Sequence, residues 1–279
     1  MDEAPLDALR DAAIAREPDR YFAATLAPAV IRYDLITLAA FAAELANIPM
    51  QVREPLAGEI RLQWWRDALA ANGAEAAAGH PVAVPLRAAI ERYALPAAIL
   101  DAIIDSHADT LHGDRPADEA ALVAHLSARE GGLFQLAARI AGAEENGDVW
   151  QIARAAGTAY GISRALVHLP TEGAARLPIP RSLLSDELLA QASAGDTTPP
   201  LASAIAALDQ RARTALSDIA PQLAKMSRGK RLPFLPLAMV RPNLRALETW
   251  AQRGGAASIE PLPISRLLRI TWAHARGRF

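Results

Sequence analysis

From Ile31 onward, apolar residues return at steps of four and three. Ile31, Leu35, Leu38, Ala42 and Leu45 fall on one face of a helix. The same rhythm recurs along the chain. It predicts a helix in "LAGEIRLQWWRDALAA", with Leu62, Trp65 and Leu69 on one stripe, and another after Pro96 that buries Ile99, Leu100, Ile103 and Ile104. Further helices are expected over Asp118–Ala141, Gly147–Leu169, Pro199–Met226, Pro236–Arg253 and Pro263–Ala275. "NGAEAAAGHPVAVP", "TEGAARLPIPRSLL" and "ASAGDTTPP" read as connections. Alternating Val-, Ile- and Thr-rich runs are nearly absent, and hydrophobic residues reach 52% with only 5% aromatic, so alanine fills the helices. The chain is therefore expected to be all-α. No repeat or linker divides it, so residues 1–279 are expected to form a single domain.

Composition excludes several classes of function. A net charge of −2 gives no basic surplus for nucleic acid. There is no cysteine, which rules out disulfides, thiolate zinc sites and Cys nucleophiles. "MDEAPLDALRDAAIAREPDR" is charged throughout and lacks the apolar core of a signal peptide. No uncharged apolar run reaches membrane-spanning length. The expected location is the cytoplasm, with peripheral contact to the inner membrane as a further option. Phosphate loops, dinucleotide fingerprints, His-Glu-x-x-His and nucleophile elbows are missing. Function must then come from side chains that converge inside a helical bundle.

Four local features are candidates. Asp101, Asp105, Asp109 and His112 share one stripe, which suits either a divalent cation or a solvated helix face. Gly131, Gly132, Gly157 and Gly161 interrupt two helices, and each costs roughly 1 kcal/mol against alanine. A backbone must come close there, from a neighbouring helix or from a ligand in a central apolar cavity. His168 and Glu172 lie four apart across Pro170, which is expected to break the helix that would align them. The C-terminal "SRLLRITWAHARGRF" is basic and amphipathic. Such a segment lies on a membrane or docks on the bundle, and docking with Trp272 covering core is the commoner use.

Five pieces in order resemble the squalene/phytoene synthase family: "RYFAATLAPAVIRYDLITLAAFAAELA", "LQWWRDAL", "IERYALPAAILDAIIDSHADTL", "LVAHLSAREGGLFQLAARIAG" and "GTAYGISRALVHLPTEGAARLPIP". The resemblance implies an isoprenoid synthase-like helical bundle. It also implies two DxxxD motifs on facing helices, whose carboxylates hold Mg²⁺ and through it a prenyl diphosphate. Here those positions carry Ala46 and Met50, with Asn47 between, and His168 and Glu172. Gly161 stands where a Gln is usual and Arg164 where an Asn is usual. The pattern is similar to a non-catalytic branch whose mitochondrial members assist assembly of respiratory complex I. That branch implies no cofactor, and as partners an isoprenoid or other lipid, respiratory-complex subunits or a membrane surface. Phe41, Leu45, Gly131, Gly132, Gly157, Gly161 and Arg164 are the expected pocket residues. The alternative is an active prenyl-diphosphate transferase using Mg²⁺ at a rearranged site of Asp105, Asp109, His168 and Glu172.

Overall fold

Proline marks where many of the helices begin. It occupies the first turn of α2, Pro18–Thr25, and of α4, Pro55–Leu69, where its missing N–H has no partner to lose. The computed structural model describes residues 3–145, 147–191, 198–252 and 259–279. Among them the secondary structure is entirely helical. Before α2 comes α1, Glu3–Arg16, and after it the long α3, Ala29–Gln51, which runs on past Pro49. Beyond α4 follow α5, Ala74–Ala77, α6, Ala83–Tyr93, and α7, Ala97–His112. Next come α8, Glu119–Leu126, a π-helical turn over Ser127–Gly131, and α9, Gly132–Ile140. The second half holds α10, Asp148–Val167, α11, Leu169–Glu172, α12, Asp186–Gln191, and α13, Pro199–Lys225. The chain closes with α14, Arg228–Arg231, a 3₁₀ stretch over Leu232–Met239, α15, Val240–Gln252, and α16, Pro263–Arg276.

Two cores share the molecule. One surrounds α3, which packs on α1, α2, α6 and α9. The other surrounds α10, packed on α13 and α15. The 3₁₀ stretch joins them, with Leu235 in the first core and Phe234 in the second. "WWR" belongs to the first core. Trp65 sits 5.1 Å from both Phe41 and Trp64, and His80 closes the cluster 5.2 Å from Trp65.

Several expected boundaries change. The charged N-terminus forms α1 and α2, and Leu9 and Ala13 are fully buried against α3. Helix α6 replaces part of the connection expected up to Pro85. The helix expected from Pro236 starts at Val240. Pro233 and Pro236 cannot donate the hydrogen bonds an α-helix needs, so the chain takes 3₁₀ geometry first. Most of "ASAGDTTPP" lies outside the described residues. The C-terminal helix docks, but not through Trp272. Its inner face is Arg266, Ile270 and Ala273, and Trp272 is 53% exposed.

Candidate functional site

A cleft of about 1160 Å³ opens between the two cores. Ala46, Pro49 and Met50 line it from the end of α3, and His168 and Glu172 from the end of α10 and α11. The helix does break at Pro170, but the chain resumes at once. Pro170 sits in the first turn of α11, and Glu172 N–H donates to the His168 carbonyl at 2.8 Å. His168 and Glu172 therefore both reach the cleft, contrary to the expectation that the proline would separate them.

Guanidinium groups span the two sets of motif positions. Arg16, at the end of α1, donates from Nε to Asn47 Oδ1 at 3.0 Å and from Nη1 to Glu172 Oε1 at 3.4 Å. Arg176 Nη1 lies 2.7 Å from Met50 Sδ. His168 Nδ1 meets Glu260 Oε1 at 3.0 Å. Burial, reinforced by Arg164, holds the His168 imidazole below its ordinary pKa.

Beneath them lies a buried floor of charge. The π turn presents Glu130, whose Oε2 accepts from Arg20 Nη2 at 2.8 Å; Arg164 Nη1 and Arg129 Nε lie 3.6 and 3.7 Å from Oε1. Glu17 accepts from Arg20 Nε at 3.2 Å and from Arg164. Asp19 accepts from Arg266 Nη1 at 2.6 Å and from the Tyr160 hydroxyl at 3.2 Å. Arg20 also lies 4.6 Å over the ring of Phe134. Burial alone would raise the Glu130 carboxyl, but Arg164, Arg20 and Arg129 outweigh it and hold it at about 2. Burial would likewise weaken the Arg164 cation, and Glu17 and Glu130 reverse that. Tyr160 is pushed well up by burial, then by Asp19 and Glu17, so it stays a neutral donor.

The glycines answer a packing need. A Cβ on Gly157 would lie 2.2 Å from the Gly131 nitrogen, and one on Gly131 would lie 2.9 Å from Arg154 Cα. At this crossing the backbones of α10 and the π turn touch. Gly132 faces the side chain of Ile103. Gly161 makes room for Glu130: a Cβ there would meet Leu126 Cδ2 at 2.8 Å and Glu130 Cγ at 3.1 Å. Of the expected pocket residues, only Gly161 and Arg164 line the cleft. Phe41 and Leu45 are core, and Gly131, Gly132 and Gly157 are filled by neighbouring helices. The cleft is also not the apolar cavity expected, because charged side chains make much of its wall.

The donor set does not fit Mg²⁺. That ion prefers hard oxygen ligands in octahedral array. Of the four motif positions only Glu172 supplies a carboxylate, and Arg16 engages it. The rearranged set is not gathered either. Asp105 points away from the cleft and pairs with Arg66, and Asp109 Oδ2 lies 3.4 Å from His125 Nδ1. His112 pairs with Glu59 at 2.7 Å, and Asp101 faces solvent. Among the described residues, no three His, Asp or Glu side chains are arranged to hold a metal. Asp109 and His112 do reach the cleft rim.

Sequence reasoning missed the floor. Glu17, Asp19, Arg20, Glu130 and Arg266 carry no motif, and apart from the Glu17–Arg20 pair their partners are mostly remote in sequence. It also missed Asn243, which lines the cleft at 1% exposure with Oδ1 lacking a hydrogen-bond partner among the described residues. The π turn that presents Glu130 is a structural mark of the site, since such turns gather at functional positions.

The fold has solved relatives. A dehydrosqualene synthase crystallised with a ligand aligns with TM-score 0.73 at 11% identity, covering 97% of each chain. The squalene synthase HpnC from Alicyclobacillus acidocaldarius aligns at 0.68 and 14% identity, over 90% of this chain and 94% of its own. YisP from Bacillus subtilis aligns at 0.62 and 11%, over 97% and 99%. At such identities these likenesses establish the fold alone. No curated protein sequence matches the chain. The sequence profile of the squalene/phytoene synthases does match, over residues 15–259, and on that span the chain belongs to the squalene/phytoene synthase family.

Proposed function

We propose that this chain is a non-catalytic member of its family that binds an isoprenoid or another lipid in the cleft. One observation carries the reading. Arg16 bridges Asn47 and Glu172, so a fixed cation of the chain itself stands between positions where catalysis needs carboxylates around a metal. A guanidinium there can pair with an anionic head group directly. It cannot supply the Lewis acid that helps a diphosphate leave. The resemblance to the assembly-factor branch adds respiratory-complex subunits as candidate partners and a place at the inner membrane.

The test is release of pyrophosphate from farnesyl or geranylgeranyl diphosphate with Mg²⁺. The expected result is no release above a protein-free control. Ala46→Asp with Met50→Asp should not restore it, because His168 and Glu172 still leave the second cluster incomplete. EDTA-sensitive release by the parent chain would favour the rival reading of a prenyl-diphosphate transferase, which draws on Asp109, His168 and Glu172 all lining one cleft. Mass spectrometry of co-purified lipids and proteins separates lipid binding from an assembly role.

A further inference from the structure

Helix α16 leaves one face uncovered. Ile264, Leu268 and Trp272 recur every four residues and are 60%, 62% and 53% exposed. The opposite face, Arg266, Ile270 and Ala273, holds the helix on α2 and the 3₁₀ stretch. Leu, Ile and Trp in line on a docked helix expose apolar area that the described residues leave largely open.

Charge flanks the C-terminal end of this stripe, and there it is of one sign. Between Glu260 and Phe279 there is no acidic residue, and none between Asp218 and Glu248. Folding brings these two stretches together. Arg228 Nε donates to His274 Nε2 at 2.9 Å, and the Arg231 guanidinium lies against Gly277. Arg276 stands 5.9 Å over the Trp272 ring. Arg228, Lys230, Arg276 and Arg278 are exposed at this end. The whole chain carries −2, so the concentration of cations here is local.

The geometry points to a membrane-docking face: α16 lies on an anionic phospholipid bilayer, with Ile264, Leu268 and Trp272 in the interface and the basic cluster on the head groups. Apolar side chains on one face with flanking Arg and Lys are what an interfacial helix requires. Tryptophan favours the boundary between acyl chains and head groups. A second copy of the chain fits this face less well, since a two-fold contact would set like cations against each other. Pro263 and Arg266 of the same helix line the cleft, so the docked face begins at the cleft rim. The inference concerns the outer face and holds whatever the cleft binds.

Sedimentation with vesicles of phosphatidylcholine, with and without phosphatidylglycerol, tests it on the full chain. The parent should bind only the anionic vesicles, and rising salt should release it. Arg276→Ala with Arg278→Ala should weaken binding roughly 25-fold, at about fivefold per basic residue near the surface. Leu268→Glu should abolish binding while the melting temperature holds, because the side chain is exposed. Absence of binding to anionic vesicles at low salt overturns the proposal. So does a Leu268→Glu variant that binds like the parent. A parent that is dimeric by light scattering, and that Leu268→Glu makes monomeric, overturns it in favour of self-association.

Discussion

The floor and the mouth of the cleft are built from the same residue types and do different things. On the floor, three carboxylates meet four guanidiniums: Glu17, Asp19 and Glu130 with Arg20, Arg129, Arg164 and Arg266. All seven side chains are largely or fully buried. At the mouth, Arg16 stands against Glu172 and His168 against Glu260, while Arg176 has no carboxylate partner among the described residues. The floor's charges are buried and paired with one another, so they hold the helices in place. The mouth keeps positive charge in reach of water, where a bound anion can still use it. A buried charge stands only with its partner, whereas an exposed one is worth little to the fold.

The largest expected effect comes from breaking the floor. Glu130→Ala leaves the buried Arg20 and Arg164 with Glu17 as their one remaining carboxylate and should cost about 3–5 kcal/mol, read from urea unfolding. A loss no greater than at the mouth would dissolve the contrast. Gly157→Ala comes next. Its Cβ meets backbone rather than a flexible side chain, and overpacking of that kind costs roughly 1–3 kcal/mol.

Acid should weaken the fold in two steps. The Glu130 carboxyl sits at about 2 in the fold, below the ordinary value of about 4.3. Its contribution is complete above that ordinary value and is lost as pH falls toward 2. His107 acts at higher pH. Burial, then Arg129 and His125, depress its pKa far below the usual value of about 6.5. The unfolded chain therefore takes up this proton first, and stability should decline as pH drops below about 6.5. Melting temperatures from pH 8 downward measure both limbs, and His107→Leu should flatten the upper one.

The smallest effect belongs to the mouth. Arg176→Ala should move stability by no more than about 0.5 kcal/mol, the usual range for an exposed side chain. In native mass spectrometry with a lipid phosphate, the same variant should retain less ligand than the parent. A large loss of stability would place Arg176 with the floor instead.

The contrast also marks what could be read from the sequence. Helices α3, α4, α7, α10 and α13 were legible because their inward faces are apolar and return at helical spacing. Helix α2 was not, because its inward face carries Asp19 and Arg20, which hydropathy reads as surface. Their burial depends on Arg266 and Glu130, 247 and 110 positions away. That Ala46 and Met50 offer no carboxylate was legible from their identities. That Arg16 would span the gap was not, since Arg16 lies in a helix the sequence did not reveal. Trp272 was read as core because aromatic residues are scarce, and its place on the outer face is fixed by the angle at which Arg266 turns the helix inward.

The pair of Asp19 and Arg266 joins α2 to α16 across 247 positions, and this gives the molecule a schedule. A ribosome adds about 5–20 residues per second, so Asp19 is made roughly 12–50 s before its partner. During that interval the first core can assemble around α3, but one side of the cleft floor holds an anion with nothing to neutralise it. Water must stay there until α16 arrives. The newborn protein thus passes through a stage in which the cleft is open at its base, and only the arrival of Arg266 can seal it.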